Sequence, residues 1–98
     1  MTQRETKYEL MYILDATRTE EDIAALVERF KTLIESNGVI HEHVLMGRKK
    51  LAYMINDMPD GYYVLVKFTS RHDFPEELRR VLGITEGVMR SLVTKAVD

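Results

Sequence analysis

The chain has no cysteine, which excludes a disulfide scaffold, a thiol nucleophile and a cysteine-ligated metal site. No apolar run approaches the roughly twenty residues that span a bilayer. The opening Met-Thr-Gln-Arg-Glu-Thr-Lys also leads into no apolar segment of signal-peptide length. The default compartment is therefore the cytoplasm, with no membrane contact. Positive charge is not in excess either: 14 Lys and Arg stand against 16 Asp and Glu, for a net charge of −2. A whole-molecule attraction to nucleic acid is not expected, so any such binding has to come from a local patch. Repeats, linkers and low-complexity segments are missing. The 98 residues read as one domain, 1–98, long enough to bury about two-thirds of its unfolded surface.

Catalytic hardware is scarce as well. There is no glycine-rich phosphate loop and no nucleophile in a recognisable elbow, and the carboxylate pairs fall in helix first turns, where capping accounts for them. His41 and His43, two apart on an expected strand, would point the same way as two metal ligands do. No third ligand accompanies them, and they read as surface histidines. These gaps argue against an enzyme, a cofactor or a small-molecule substrate.

What is present is a stretch from Gly47 to Phe68. Two β-compatible runs flank Asn56-Asp57-Met58-Pro59-Asp60-Gly61, whose chemistry favours a chain reversal, and the first run carries the cationic triplet Arg48-Lys49-Lys50. Upstream, Tyr8, Leu10, Tyr12 and Leu14 alternate with Glu9, Met11 and Ile13, which predicts a strand over 7–14 that is apolar on both sides. Thr19 before Glu20, Glu21 and Asp22 is an N-cap with dipole-favoured carboxylates. Ile23, Leu26, Val27, Phe30, Leu33 and Ile34 then recur at helical spacing, and Asn37-Gly38 supplies a left-handed stop. Val39 to Met46 alternates again, with Gly47 marking a bulge or bend before the strand resumes over 51–55. Tyr62 to Phe68 is the next strand. Asp73 and Glu76 resemble a capping box for a short helix that uses Leu78, Val81 and Leu82 and stops at Gly83. A turn at 84–87 leads to a last strand, 88–97.

The order β-α-β-β-α-β, joined by right-handed crossovers, gives an α+β ferredoxin-like sandwich. Its four-stranded antiparallel sheet has the order 4-1-3-2, with both helices on one face. The other face is left open, and Met11, Ile13, Tyr63, Leu65 and Leu92 point to it. An apolar patch of this kind marks a partner surface. Small acyl-phosphate hydrolases resemble the chain in order of elements. Their arginine-bearing loop would correspond to Asp15-Ala16-Thr17-Arg18, which lacks the glycines that cradle a phosphate. The triplet Arg48-Lys49-Lys50 suits phosphate contact and also suits edge protection, since edge strands carry lysine to block pairing. The aromatic signature of an RNA recognition motif is missing between Gly61 and Phe68. Base stacking across the sheet is therefore the weaker mode and phosphate contact the better one.

Gly47-Arg48-Lys49-Lys50-Leu51-Ala52-Tyr53-Met54-Ile55 with Gly61-Tyr62-Tyr63 resembles the signature of the bacterial small-subunit ribosomal protein six family. Tyr8-Glu9, Asn37-Gly38 and Ile84-Thr85-Glu86-Gly87-Val88-Met89-Arg90 fit the same family at matching intervals. The resemblance covers the chain from Tyr8 to Lys95. Met54 stands where the family often has proline, and no long acidic tail follows Asp98. The resemblance implies a ferredoxin-like fold, contact with the central domain of 16S rRNA, and a heterodimer with small-subunit ribosomal protein eighteen. It also implies that Arg48, Lys49, Lys50 and Tyr53 face RNA, with Arg90 as a further candidate. The alternative is a ferredoxin-like interaction or ligand-sensing module that dimerises through its open sheet face.

Overall fold

The computed structural model describes residues 5–55 and 58–96, and the side chains of 51–55, 58 and 59 lie outside that description. Along the chain come β1 (Glu5–Asp15), α1 (Glu20–Glu35), β2 (Gly38–Ile55), β3 (Met58–Arg71), α2 (Phe74–Ile84) and β4 (Val88–Lys95). The four strands form one antiparallel sheet ordered β2-β3-β1-β4, the ferredoxin-like order expected from the sequence. No helix among the described residues is long and apolar enough to cross a membrane.

Alternation in β1 decides the core. Tyr8, Leu10, Tyr12 and Leu14 are buried against α1 (Ile23, Val27, Phe30, Ile34) and α2 (Phe74, Leu78, Leu82), together with Val64, Val66 and Phe68 of β3. Both helices therefore cover the same face of the sheet. The Tyr12 and Phe30 rings meet edge to face at 5.3 Å, and Phe68 lies 5.7 Å from Tyr8 and 6.0 Å from Phe74. Burying each such side chain stabilises the fold by about 1.5–3 kcal/mol.

Helix termini follow the sequence at one end and depart from it at others. Thr19 is extended (φ −64°, ψ 159°), and its Oγ1 accepts from the Asp22 N–H at 3.1 Å, as an N-cap should. Gly38, expected to be a left-handed stop, is instead a strand residue. The end of α1 is closed by side chains: Ser36 Oγ donates to Thr32 O at 2.8 Å and Asn37 Nδ2 to Leu33 O at 2.9 Å. Glycine is required at 38 because a Cβ there would sit 2.1 Å from the Thr69 carbonyl oxygen of β3. The capping box at α2 does not form. Asp73 has helical backbone (φ −88°, ψ −16°) and its side chain makes no cap hydrogen bond; it pairs instead with Arg71 at 3.6 Å. Pro75, which has no N–H to satisfy, lowers the need for a cap. That helix also runs past Gly83 to Ile84, with Thr85 as its C-cap.

The hairpin is tighter than its composition implied. Ile55 pairs with Met58, Lys50 with Asp60 and Lys49 with Gly61, so Asp60 and Gly61 belong to the ladder and not to the turn. Ladder hydrogen bonds on both sides of Gly61, which also faces Asp15 of β1, outweigh its turn propensity. Asn56 and Asp57 fall outside the described residues. At the other end of the chain β4 closes at Lys95, short of the expected 97, with the Ala96 N–H donating to Lys7 O at 3.0 Å.

β2 is one continuous strand with three irregularities in its pairing to β3, between Ile40 and Glu42, between Leu45 and Gly47, and between Lys50 and Ile55. The second contains Gly47 at φ 83°, the bulge its glycine indicated. The first overturns the shared direction of His41 and His43. An extra residue at His41 resets the alternation, so His43 pairs with buried Val66 on the helix side. His41 instead bonds the Thr69 hydroxyl at 2.6 Å.

Candidate nucleic-acid and partner interface

Directly opposed residues in antiparallel strands share a face. The register therefore writes out the uncovered side of the sheet row by row. One row runs Glu42, Lys67, Glu9, Thr94 from β2 to β4; the next Val44, Leu65, Met11, Leu92; the next Gly47, Tyr63, Ile13, Arg90. Beyond them lie Lys49, Gly61 and Asp15. The four residues expected on this face, Met11, Ile13, Tyr63 and Leu65, thus form one contiguous block. Leu92 (63% exposed) and Met11 (37%) are open to solvent, whereas Ile13 is only 8% exposed between Tyr63 and Arg90.

The face is bordered by charge on both sides of its apolar row. On one side the Lys67 ammonium sits 3.6 Å from Glu9 and 3.5 Å from Glu42, a cross-strand cluster that neutralises itself. Sequence reading missed this cluster. Its signal was present in the alternation, but only the register shows that three strands bring the groups together. On the other side are Arg90 at the β4 edge and, one row further along, Lys49 at the β2 edge, three strand spacings or about 14 Å away across the sheet. Tyr63 and Ile13 lie between them.

The cationic triplet does not act as one block, because alternation splits it. Lys49 faces the open side, while Arg48 and Lys50 point to the helix side opposite Tyr62 and Asp60. Arg48 is engaged: its Nε and Nη2 donate to the Ala16 carbonyl at 3.3 and 3.2 Å, tying β2 to the β1–α1 loop. The Tyr53 side chain lies outside the described residues. No group of three or more His, Asp or Glu side chains suited to a metal occurs among the described residues.

The β1–α1 loop has the features of a structural turn. Asp15 accepts from the Thr17 N–H at 2.9 Å and the Thr17 hydroxyl at 2.6 Å, and these bonds hold its carboxyl below the usual range. The Asp15 N–H donates to Gly87 O at 2.8 Å. Arg18 Nε is buried with no hydrogen-bond partner among the described residues, packed where a side chain on Gly87 would clash with it. His43 sits by α1, where burial first and the Lys31 charge second push its pKa below the ordinary value, opposed by Glu28 and Glu35.

Residues 7–95 match the family described as Ribosomal protein S6. The chain is 41% identical over 90 residues to small ribosomal subunit protein bS6 of Clostridium perfringens (strain 13), covering 91% of this chain and 95% of that one. Against the bS6 protein of Thermoanaerobacter pseudethanolicus it is 47% identical over 89 residues, covering 90% and 94%. Among solved structures, the 30S ribosomal protein S6 of Thermotoga maritima matches with a TM-score of 0.89 at 30% identity. That match covers 95% of this chain and 89% of the other.

Proposed function

This chain belongs to the ribosomal protein S6 family, whose members are ribosomal proteins and not enzymes, and from that premise we propose how it acts within the small ribosomal subunit. It contacts 16S rRNA through cations at one end of its sheet and pairs with small-subunit ribosomal protein eighteen through the open face. The observation that carries this reading is the continuity of the two surfaces. Lys49 and Arg90 bracket Tyr63 and Ile13, and the apolar row Val44, Leu65, Met11, Leu92 lies directly alongside.

The physical case rests on division of labour. Two to four phosphate contacts give weak, salt-sensitive attachment, because each released counterion is returned as salt rises. A second source of free energy is needed for tight placement, and burying an apolar face supplies one at about 25 cal/mol per Å² before association costs. Lys50 extends the cationic end along β2 on the helix side, Arg48 beside it is held by the Ala16 carbonyl, and Tyr53 belongs to the same stretch of strand. The experiment is a titration of a 16S rRNA fragment with and without the partner protein at rising salt. Cooperative, salt-resistant binding only in the presence of the partner supports the reading. Equal affinity in both arms removes the partner role, and self-association through the open face then becomes the reading to measure by sedimentation.

A further inference from the structure

On the other side of the sheet a groove of about 360 Å³ opens between α1 and β2. Its origin is legible in α1. Glu20, Ala24 and Glu28 recur every fourth residue and so line one edge of the helix. Ala24 is the smallest of the three and leaves a hollow between two carboxylates about 12 Å apart along the axis. Ile23 and Val27, one step further round, form its floor with Tyr62 of β3. Leu45 of β2 forms the far wall and is 52% exposed, large for a leucine facing a helix.

Charge selects the occupant. Arg48 also lines the groove, but its guanidinium already serves the Ala16 carbonyl. Glu20 and Glu28 have no hydrogen-bond or ion-pair partner among the described residues. A phosphate backbone would be repelled by these carboxylates, so the groove itself is not a second RNA surface, although Lys50 points to the same side further along β2. β2 is the outermost strand in the sheet order, so its outer backbone groups face no other strand among the described residues. Such an edge accepts an extended chain, with side-chain pockets setting the specificity.

We propose that this groove docks an extended segment of a partner protein carrying the pattern cation-x-apolar-x-cation. Alternate residues of a strand share a side, which places the two cations about 13 Å apart, matched to Glu20 and Glu28. The apolar side chain between them fills the hollow over Ala24. This site is separate from the open face and from Lys49 and Arg90 on it, since it lies on the helix side of the sheet.

The test is fluorescence anisotropy with the full chain and a labelled peptide containing Lys-Thr-Leu-Thr-Lys. Saturable binding is expected for that peptide and not for Glu-Thr-Leu-Thr-Glu or Lys-Thr-Ser-Thr-Lys. Glu20→Lys combined with Glu28→Lys, and separately Ala24→Phe, are each expected to weaken it at least about tenfold. Ala24 is exposed, so filling the hollow leaves the core intact, and a thermal melt checks this. Absence of binding, binding unchanged in both variants, or chemical-shift changes centred on Met11 and Leu65 would overturn the proposal. Displacement of the peptide by an rRNA fragment, or self-association lost in Ala24→Phe, would likewise overturn it by identifying a different occupant.

Discussion

Lys49 and Lys50 lie on opposite sides of β2, near the end of the sheet that also carries Arg90. If both reach phosphate, replacing them with glutamine is expected to lower the slope of log affinity against log salt by about one and a half units. Folding stability should change by only tenths of a kcal/mol, because exposed charges contribute little. An unchanged slope would return the pair to edge protection. Arg48 is a separate case, since its tie to Ala16 gives its loss a structural cost that the lysines lack. His43 carries the pH dependence at this scale. Its pKa is depressed in the fold, so the unfolded chain takes up a proton first, and stability is full above about pH 6.5 and falls as pH drops below it. Urea midpoints measured between pH 7.5 and 5.5 should decline in the natural chain and decline less in His43→Gln. Parallel declines would place the titration elsewhere.

At the scale of elements, the two helix starts give opposite expectations from similar sequences. Thr19 makes its cap bond, so Thr19→Ala is expected to cost about 1 kcal/mol; Asp73 makes none, so Asp73→Ala should cost a few tenths at most. Denaturant unfolding of the two variants decides it, and equal losses would mean that the Asp73 cap forms in solution. The contrast also shows where sequence reading reaches. β1 and α1 were legible because each buries one periodic face, and period alone names Tyr8, Leu10, Tyr12, Leu14 and Phe30 as core. The strand order followed from connection rules and the helix count. Whether Asp73 caps, whether Gly38 is a stop or a point of close approach, and whether Asp60-Gly61 turns or pairs all depend on a second strand or helix. No local pattern carries that information. The candidate site divides in the same way. Met11, Ile13, Tyr63 and Leu65 were placed together by alternation, but the bulge at His41 has no marker in the sequence. The splitting of Arg48-Lys49-Lys50 was implicit in alternation all along, and only the register makes it decisive.

For the whole molecule, net charge near neutral gives no general attraction to RNA, so on the proposed reading placement rests on the open face as much as on the cations. Ile13 is the wrong residue with which to probe that face, because it is nearly buried and an aspartate there would threaten the fold. Met11 and Leu92 are opposed in register on β1 and β4, and both are substantially exposed. Replacing them with aspartate introduces two charges into the middle of the apolar row while leaving the core against α1 and α2 untouched. The isolated domain is expected to stay folded, with a melting temperature within a few degrees of the natural chain. Binding to the rRNA fragment alone should change little, because Lys49, Lys50 and Arg90 are retained. Cooperativity with small-subunit ribosomal protein eighteen should be lost, since two desolvated carboxylates in a protein interface cost several kcal/mol, about what the apolar row contributes. Titrations with and without the partner read both effects at once. Retained cooperativity in a folded Met11→Asp, Leu92→Asp variant would show that the partner sits elsewhere, and the groove between α1 and β2 is the next surface to test.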